Sequence, residues 1–338
     1  MPAVTRDLPR VAVIVPAYGV AHLIGEALDS VLAQTMTDWE CLVIDDGAPD
    51  DVAGAVSPFL SDSRIRLVQT ANHGVSAARN RAVRETSAPL IALLDGDDLF
   101  RPDYLATMCA VLDAEREVRL VTCNARVFGA IRRERNCIIS KQGSSDGLRG
   151  TLADVLGGSF NVYIGTTFRR SDFDAIGGFD ESMAQSEDFD LWVRLMLLGG
   201  HARYVDEVLG DYRVRAGSAS ANGARLRLGN IRAYEKARAA LTANRPEIAV
   251  IDRMIAENRE VLAFDYAIDK VIDGDTGRGL SELRALGDQV SGPIWAIAFQ
   301  VWKLYPALAK PMLSWRRKAH SRGSQERSVL QSLFGRPA

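Results

Sequence analysis

No stretch of this 338-residue chain holds the roughly 18 consecutive apolar residues that a membrane-spanning helix requires. Cysteine is scarce. Cys41, Cys109, Cys123 and Cys137 show no C-x-x-C spacing, so neither zinc nor a disulfide framework is supported, and buried thiols in a reducing compartment are expected. The first residues, Met-Pro-Ala-Val-Thr-Arg-Asp, lack the apolar core of a secretion leader, and a cytoplasmic location is expected. An excess of one charge is missing too: 41 basic against 43 acidic residues leave −2, which is no field to recruit nucleic acid. Neither G-x-G-x-x-G after the first apolar run nor G-x-x-x-x-G-K-[ST] anywhere is present, which excludes the dinucleotide fingerprint and the P-loop ATPases. No internal repeat of fixed period stands out.

What is present is ordinary in bulk, 47% hydrophobic and 25% charged, and suits one large α/β domain plus an appendage. Val11–Val15 reads as a strand ending at Pro16, followed by a helix with Leu23, Ile24, Ala27, Leu28, Val31 and Leu32 at helical spacing. Trp39–Ile44 is a second strand, and a helix is expected around Val52–Leu60. A short strand follows at Ile65–Gln69, and then a helix at Ser76–Thr86. Leu90–Leu94, unbroken and apolar, reads as a strand buried on both faces, and a helix follows from Pro102. Such alternation predicts a doubly wound, mostly parallel sheet. Beyond Val121 the pattern loosens. Arg126–Ser140 suits a hairpin or a connection, Gln142–Gly150 a Gly/Ser-rich mobile loop, Tyr163–Arg169 a strand and Asp188–Leu198 a helix. From about Arg225 only helices are expected, at Ile231–Ala243, Ile248–Ile272 and Leu280–Gly287. The boundary is set near residue 222, giving units 1–222 and 223–338.

Acidic or turn-forming residues gather at three strand ends: Pro16–Gly19, Asp45–Gly47 and Asp95–Asp98. In open α/β sheets that edge is where ligands bind. Asp95, Asp97 and Asp98 so close together disfavour the compact state unless a cation sits among them, although a polar turn bonding its own backbone is the plainer reading. Tyr18 can stack on a base, Asp46 can accept from a base N–H, and Asp95 and Asp97 can hold a divalent ion against a diphosphate. Mn²⁺ or Mg²⁺ suits such hard oxygen donors.

The motifs, in order, resemble those of the family 2 glycosyltransferases of the GT-A fold. They run Val-Ile-Val-Pro-Ala-Tyr, Ser-Val-Leu-Ala-Gln-Thr, Cys-Leu-Val-Ile-Asp-Asp-Gly, Gly-Val-Ser-Ala-Ala-Arg-Asn and Leu-Leu-Asp-Gly-Asp-Asp. Gly177–Glu181 and Ser186–Arg194 extend the resemblance, which covers roughly residues 10–221. It implies a GT-A-type sheet with a C-terminal helical extension. Asp95-Gly96-Asp97 would be the D-x-D motif, with Asp97 the metal ligand and Asp95 shared between ribose and metal. Pro16, Ala17, Tyr18, Asp46 and Arg79 would line the nucleotide, Asp46 and Arg79 contacting its base. Glu187 and Asp188 would be the acceptor-side pair, Asp188 the general base, although a carboxylate at a helix N-terminus is also stabilised by the dipole alone.

The resemblance further implies inverting transfer from a nucleotide-diphosphate sugar, with a UDP-sugar the expected donor. The acceptor would be a glycan or lipid-linked hydroxyl, in surface polysaccharide synthesis. Gly19 and Ala48 stand where the family often has Asn and Ser. Arg215 stands near a customary His; it cannot ligate a metal but can clamp a diphosphate, and a solvated loop arginine is an equal alternative. The different-class alternative is a non-catalytic nucleotide-sugar-binding or scaffold protein on the same fold. A sugar nucleotidyltransferase would need a Gly-rich loop with a trailing Lys, which Pro16–Gly19 does not offer.

The C-terminal end adds a separate expectation. Pro293–Leu313 carries Trp295, Ile297, Phe299, Val301, Trp302, Leu304 and Tyr305, and Arg316, Arg317, Lys318 and Arg322 follow. This reads as an interfacial helix with an anionic-lipid contact on the inner face of the cytoplasmic membrane, or else as a packed helix with a basic tail.

Overall fold

The computed structural model describes residues 8–131, 133–136, 148–215 and 223–321. Cys137, most of the loop 142–150, the motif's end at 216–220 and the basic residues from Arg322 onward lie outside them.

The first half alternates strand and helix as its apolar spacing predicts. β1 (Val11–Ala17) is buried along nearly its whole length, as strands covered on both faces are. α1 (Ile24–Leu32) buries Ile24, Ala27, Leu28 and Val31, one stripe of a 3.6-residue period. β2 (Trp39–Asp46) runs two residues past its apolar run and carries Asp45 and Asp46 inside the strand. α2 (Val52–Val56) starts on the Asp51 carboxylate, which accepts from Gly54 N at 2.8 Å. It stops earlier than expected, because Pro58 cannot donate the next helical bond and the chain continues as a 3₁₀ turn. β3 (Ile65–Thr70), α3 (Val75–Arg84), β4 (Leu90–Leu93), β5 (Leu99–Phe100) and α4 (Tyr104–Ala114) complete this half.

Parallel pairing aligns β3, β2, β1 and β4, so their carboxyl ends share one edge: Ala17 stands opposite Asp45 and Asp46 opposite Thr70. The second half mixes strand directions. It comprises β6 (Val118–Gly129), β7 (Arg135–Asn136), β8 (Arg149–Gly150), α5 (Leu152–Gly157), β9 (Thr166–Arg169), α6 (Arg170–Ala175), α7 (Glu187–Leu197) and β10 (His201–Val214). β9 is antiparallel to both β4 and β6, and β10 is parallel to β6 but antiparallel to β5. The order is β3-β2-β1-β4-β9-β6-β10-β5, a mixed sheet in which β9 and β5 run against β3, β2, β1, β4, β6 and β10. The segment from Arg126 is a hairpin, β6 with β7. Nothing in the sequence pattern announced β10. Arg203, Asp206, Glu207, Asp211 and Arg213 interrupt its apolar alternation, and register shifts around Val205 to Gly210 break the period of two.

The chain forms two compact units, Met1–Arg215 with Ala233–Ile251, and Ala216–Arg232 with Asp252–Ala338. The division therefore passes through α8 (Gly223–Ala240) and α9 (Glu247–Asp273). The second unit adds α10 (Thr276–Ala285), α11 (Pro293–Leu304) and α12 (Ala309–Ser321). Its core joins Phe264, Ile268, Val271 and Leu283 to Trp295, Phe299, Trp302 and Leu313. This corrects the expected membrane-facing role of the tryptophans. Trp295 and Trp302 are 3% and 1% exposed, with ring centroids 6.1 Å apart, and they belong to the interior. Among the described residues no helix is long and apolar enough to cross a membrane. Cys41, Cys109 and Cys123 are free, and burial pushes each thiol up to about 12.

Candidate functional site

The parallel strands end together, and short hydrogen bonds shape the rim they form. Ala17 is buried at the end of β1, while Tyr18, one residue on, is 53% exposed and offers its ring to solvent. The Asp50 carboxylate fixes the turn by accepting from Gly19 N at 3.1 Å and Ala21 N at 2.7 Å. Asp46 at the end of β2 accepts from His73 N and Gly74 N, both at 2.9 Å, and so clamps the loop before α3. Each carboxylate oxygen keeps a second lone pair, so Asp46 can still accept from a ligand N–H. Gly96 closes the rim. A Cβ there would stand 3.0 Å from Val20 Cγ2 and 3.2 Å from Pro16 O, so a side chain would have to push the loop after β4 a few tenths of an ångström away from β1.

Arg79 on α3 sits at the centre. Its side chain is 3% exposed, and its Nη2 donates to Asp95 Oδ1 at 2.7 Å while Nη1 donates to Glu187 Oε1 at 3.0 Å. Burial works to lower its pKa, but the charges of Asp95 and Glu187 outweigh that and hold it up. One guanidinium therefore ties the end of β4 to the start of α7. Without a ligand, both terminal nitrogens of the guanidinium are engaged by carboxylates. Glu187 and Asp188 open α7 directly after Ser186, the one non-glycine residue with positive φ (58°) among those described. A left-handed serine is a sparsely populated state that the surrounding structure must enforce. Asp188 is partly buried and its Oδ1 accepts from Phe189 N at 2.7 Å. Burial, and then the Glu187 charge beside it, pushes its carboxyl up to about 6.

The remaining aspartates face β10. Arg215 Nε lies 2.6 Å from Asp97 Oδ2, and its Nη1 is 3.5 Å from Gly19 O in the turn after β1. Asp98 is buried, accepting from Arg213 N at 2.8 Å and from the Tyr163 hydroxyl at 3.3 Å. Burial and the charge of Asp95 raise the pKa of both Asp97 and Asp98, Asp98 strongly. Among the described residues no three His, Cys, Asp or Glu side chains converge into a complete ion cage. The donor set nevertheless fits Mg²⁺ or Mn²⁺, because such ions keep waters and are bound by one or two carboxylates together with substrate phosphates.

Residues beneath the site hold this arrangement in place. Asn80 Nδ2 donates to Phe179 O and Glu181 Oε1, and its Oδ1 accepts from Phe179 N. Gly178 (φ +76°) passes so close that a Cβ would meet Asn80 Oδ1 at 2.7 Å. Lys236 on α8 reaches Asp180 at 2.7 Å and Asp190 at 2.5 Å, and Arg194 shares Asp190 from the same helix as that aspartate. From the sequence Asp98 reads only as the third acid of Asp-Gly-Asp-Asp, with no partner assigned, and Asp50, Tyr163, Lys236 and Arg213 are given no place in the site. The others gain meaning only from partners distant in the chain.

Residues 12–177 match the family model described as glycosyl transferase family 2. An Escherichia coli chondroitin synthase is 28% identical over 58% of this chain and 28% of its own length. An Escherichia coli UDP-Glc:alpha-D-GlcNAc-diphosphoundecaprenol beta-1,3-glucosyltransferase is 42% identical over 30% of this chain and 40% of its own. The chain thus spans well under two thirds of the length of these curated relatives. Among solved structures, S. aureus TarS 1–349 in complex with UDP-GlcNAc aligns over 97% of this chain and 93% of that one (TM-score 0.62, 17% identity). The mannosyltransferase PcManGT of Pyrobaculum calidifontis, in complex with GDP-Man and Mn²⁺, aligns over 97% and 88% (TM-score 0.62, 21% identity). At these identities the structural matches establish the fold, which is of the GT-A type.

Proposed function

Because the chain belongs to glycosyltransferase family 2, we propose that it moves a sugar from a nucleotide-diphosphate donor, a UDP-sugar, to a hydroxyl of a glycan or lipid-linked acceptor. The step is inverting and belongs to surface polysaccharide synthesis. The observation that carries the reading is the Arg79 bridge, which joins a carboxylate of the strand-end cluster to the acidic pair opening α7. Donor-side and acceptor-side groups are thereby held within one guanidinium's reach.

Tyr18 stacks on the base and Asp46 accepts from its N–H. A divalent ion held by Asp97 and Asp95 would neutralise the charge that develops on the departing diphosphate. Arg215 then serves the diphosphate as a two-pronged donor once released from Asp97. Asp188 takes the proton of the acceptor hydroxyl as that oxygen bonds the anomeric carbon and the bond to the diphosphate breaks, its electron pair leaving with the nucleotide. With the base opposite the leaving group, configuration inverts. A carboxyl pushed up to about 6 is ionised at neutral pH yet more basic than an ordinary one, which suits proton abstraction.

The test is release of free nucleotide across a panel of UDP- and GDP-sugars, with Mn²⁺, Mg²⁺ or chelator, in the presence of candidate acceptors. Asp188→Asn should lower transfer by about 10²–10⁴-fold while leaving donor affinity nearly unchanged. Wild-type turnover in that variant would remove the base assignment. Indifference to every sugar nucleotide would favour the non-catalytic alternative.

A further inference from the structure

α11 is apolar on more than one side. Trp295, Ala298, Phe299 and Trp302 face the core of the C-terminal unit, while Ile297 and Leu304 are 63% and 73% exposed. A surface helix ordinarily keeps one apolar stripe, and a helix apolar all round is buried in something. The exposed residues are not scattered. Ile297, Leu304, Tyr305 and Leu308, with the half-buried Val301, line an open groove of about 530 Å³, and Met312 and Trp315 on α12 are exposed as well. Contiguous patches of this kind on a globular unit mark places where an apolar phase is met.

Charge selects the partner. Between Asp288 and Glu326 the sequence contains no acidic residue, whereas Lys303, Lys310, Arg316, Arg317, Lys318 and Arg322 fall in that interval. Lys303 and Lys310 are exposed and stand next to or two residues from Leu304 and Leu308 in the chain. Arg316 is committed elsewhere, its guanidinium 5.2 Å from the Phe264 ring and 5.5 Å from the Trp295 ring. Two copies meeting through this face would bring like charges together, which disfavours self-association. An anionic bilayer answers both features, apolar chains for the groove and negative headgroups for the lysines.

We infer that the groove of α11 and the apolar edge of α12 form a docking surface for an anionic lipid membrane. The contact is made by Ile297, Leu304, Tyr305 and Leu308 with Lys303 and Lys310, and the tryptophans of α11 stay inside. None of these residues belongs to the proposed sugar-transfer site, so the test reads no turnover and stands or falls independently of the proposed activity.

The experiment floats the full chain with vesicles of phosphatidylcholine alone or mixed with phosphatidylglycerol. Binding is expected only with the anionic vesicles, and it weakens as salt rises. Leu304→Ser with Leu308→Ser should cut the partition coefficient by about tenfold or more. Lys303→Glu with Lys310→Glu should cut it by at least about twentyfold, near fivefold for each charge. Because all four side chains are exposed, melting temperature and donor binding should stay at wild-type values, which separates lost docking from misfolding. The inference is overturned if both variants float as the wild type does, or if no vesicle binds. It is also overturned if light scattering shows an oligomer that the serine variant dissolves, since the groove would then be an interface between copies.

Discussion

Replacing Arg79 by methionine keeps much of the length of the buried side chain and removes its charge. Asp95 and Glu187 would then face each other with no cation between them. Breaking a buried ion pair by deleting one partner costs about 3–5 kcal/mol. Both carboxylates keep some contact with water, at 31% and 16% side-chain exposure, so the loss should fall near the lower end, about 3 kcal/mol. Denaturant unfolding of the donor-free protein measures it.

A second readout separates electrostatics from packing. As the proposed base, Asp188 has to be ionised, so kcat/KM should fall below an apparent pKa of about 6 and level off above it. Burial and Glu187 raise that value, whereas the positive charge of Arg79 lowers it. In Arg79→Met the counterweight is gone, so the acid limb should move to higher pH. Arg79→Lys keeps a charge but cannot bridge two carboxylates as a planar fork does, and should shift the limb less while losing part of the stability. An acid limb unmoved in Arg79→Met, together with a stability loss under about 1 kcal/mol, would refute the bridge as the link between the two halves of the site.

Tyr18→Ala should leave unfolding within about 0.5 kcal/mol of wild type, since the ring is exposed, yet weaken nucleotide binding by about 1–3 kcal/mol in calorimetry. Ser186→Gly should relieve the left-handed strain and stabilise the protein by up to about 1 kcal/mol while lowering turnover, because the backbone that presents Asp188 loosens. Arg215→Ala should weaken donor affinity, and titration of the donor-free protein with Mn²⁺ should show tighter binding of the ion once the 2.6 Å partner of Asp97 is gone.

Much of the frame could be read from residue order. Val11–Val15, Trp39–Ile44 and Leu90–Leu94 are apolar at every or nearly every position, and a short run of that kind has few structures open to it other than a covered strand. Where the chain carried mixed composition the reading weakened. β10 mixes charged residues and irregular register with buried ones, and its strand character comes from pairing with β6, a neighbour some eighty residues earlier. The C-terminal helices were legible as helices, but Trp295 and Ile297 are both apolar, and nothing in their spacing told which belonged inside.

The sequence by itself determined the strand-end positions of Asp46, Asp95 and Asp97, because apolar runs and turn residues mark where each parallel strand must stop. Which charge meets which was decided only in three dimensions. Arg79 finds Asp95 sixteen residues away and Glu187 one hundred and eight residues away. Asp97 is met by Arg215 from the far end of β10. Ion pairs form between whatever groups folding brings within reach, and no local spacing encodes that choice. For the same reason burial, which sets the basicity of Asp188 and the inward turn of Trp302, belongs to the packed molecule and not to any stretch of its chain.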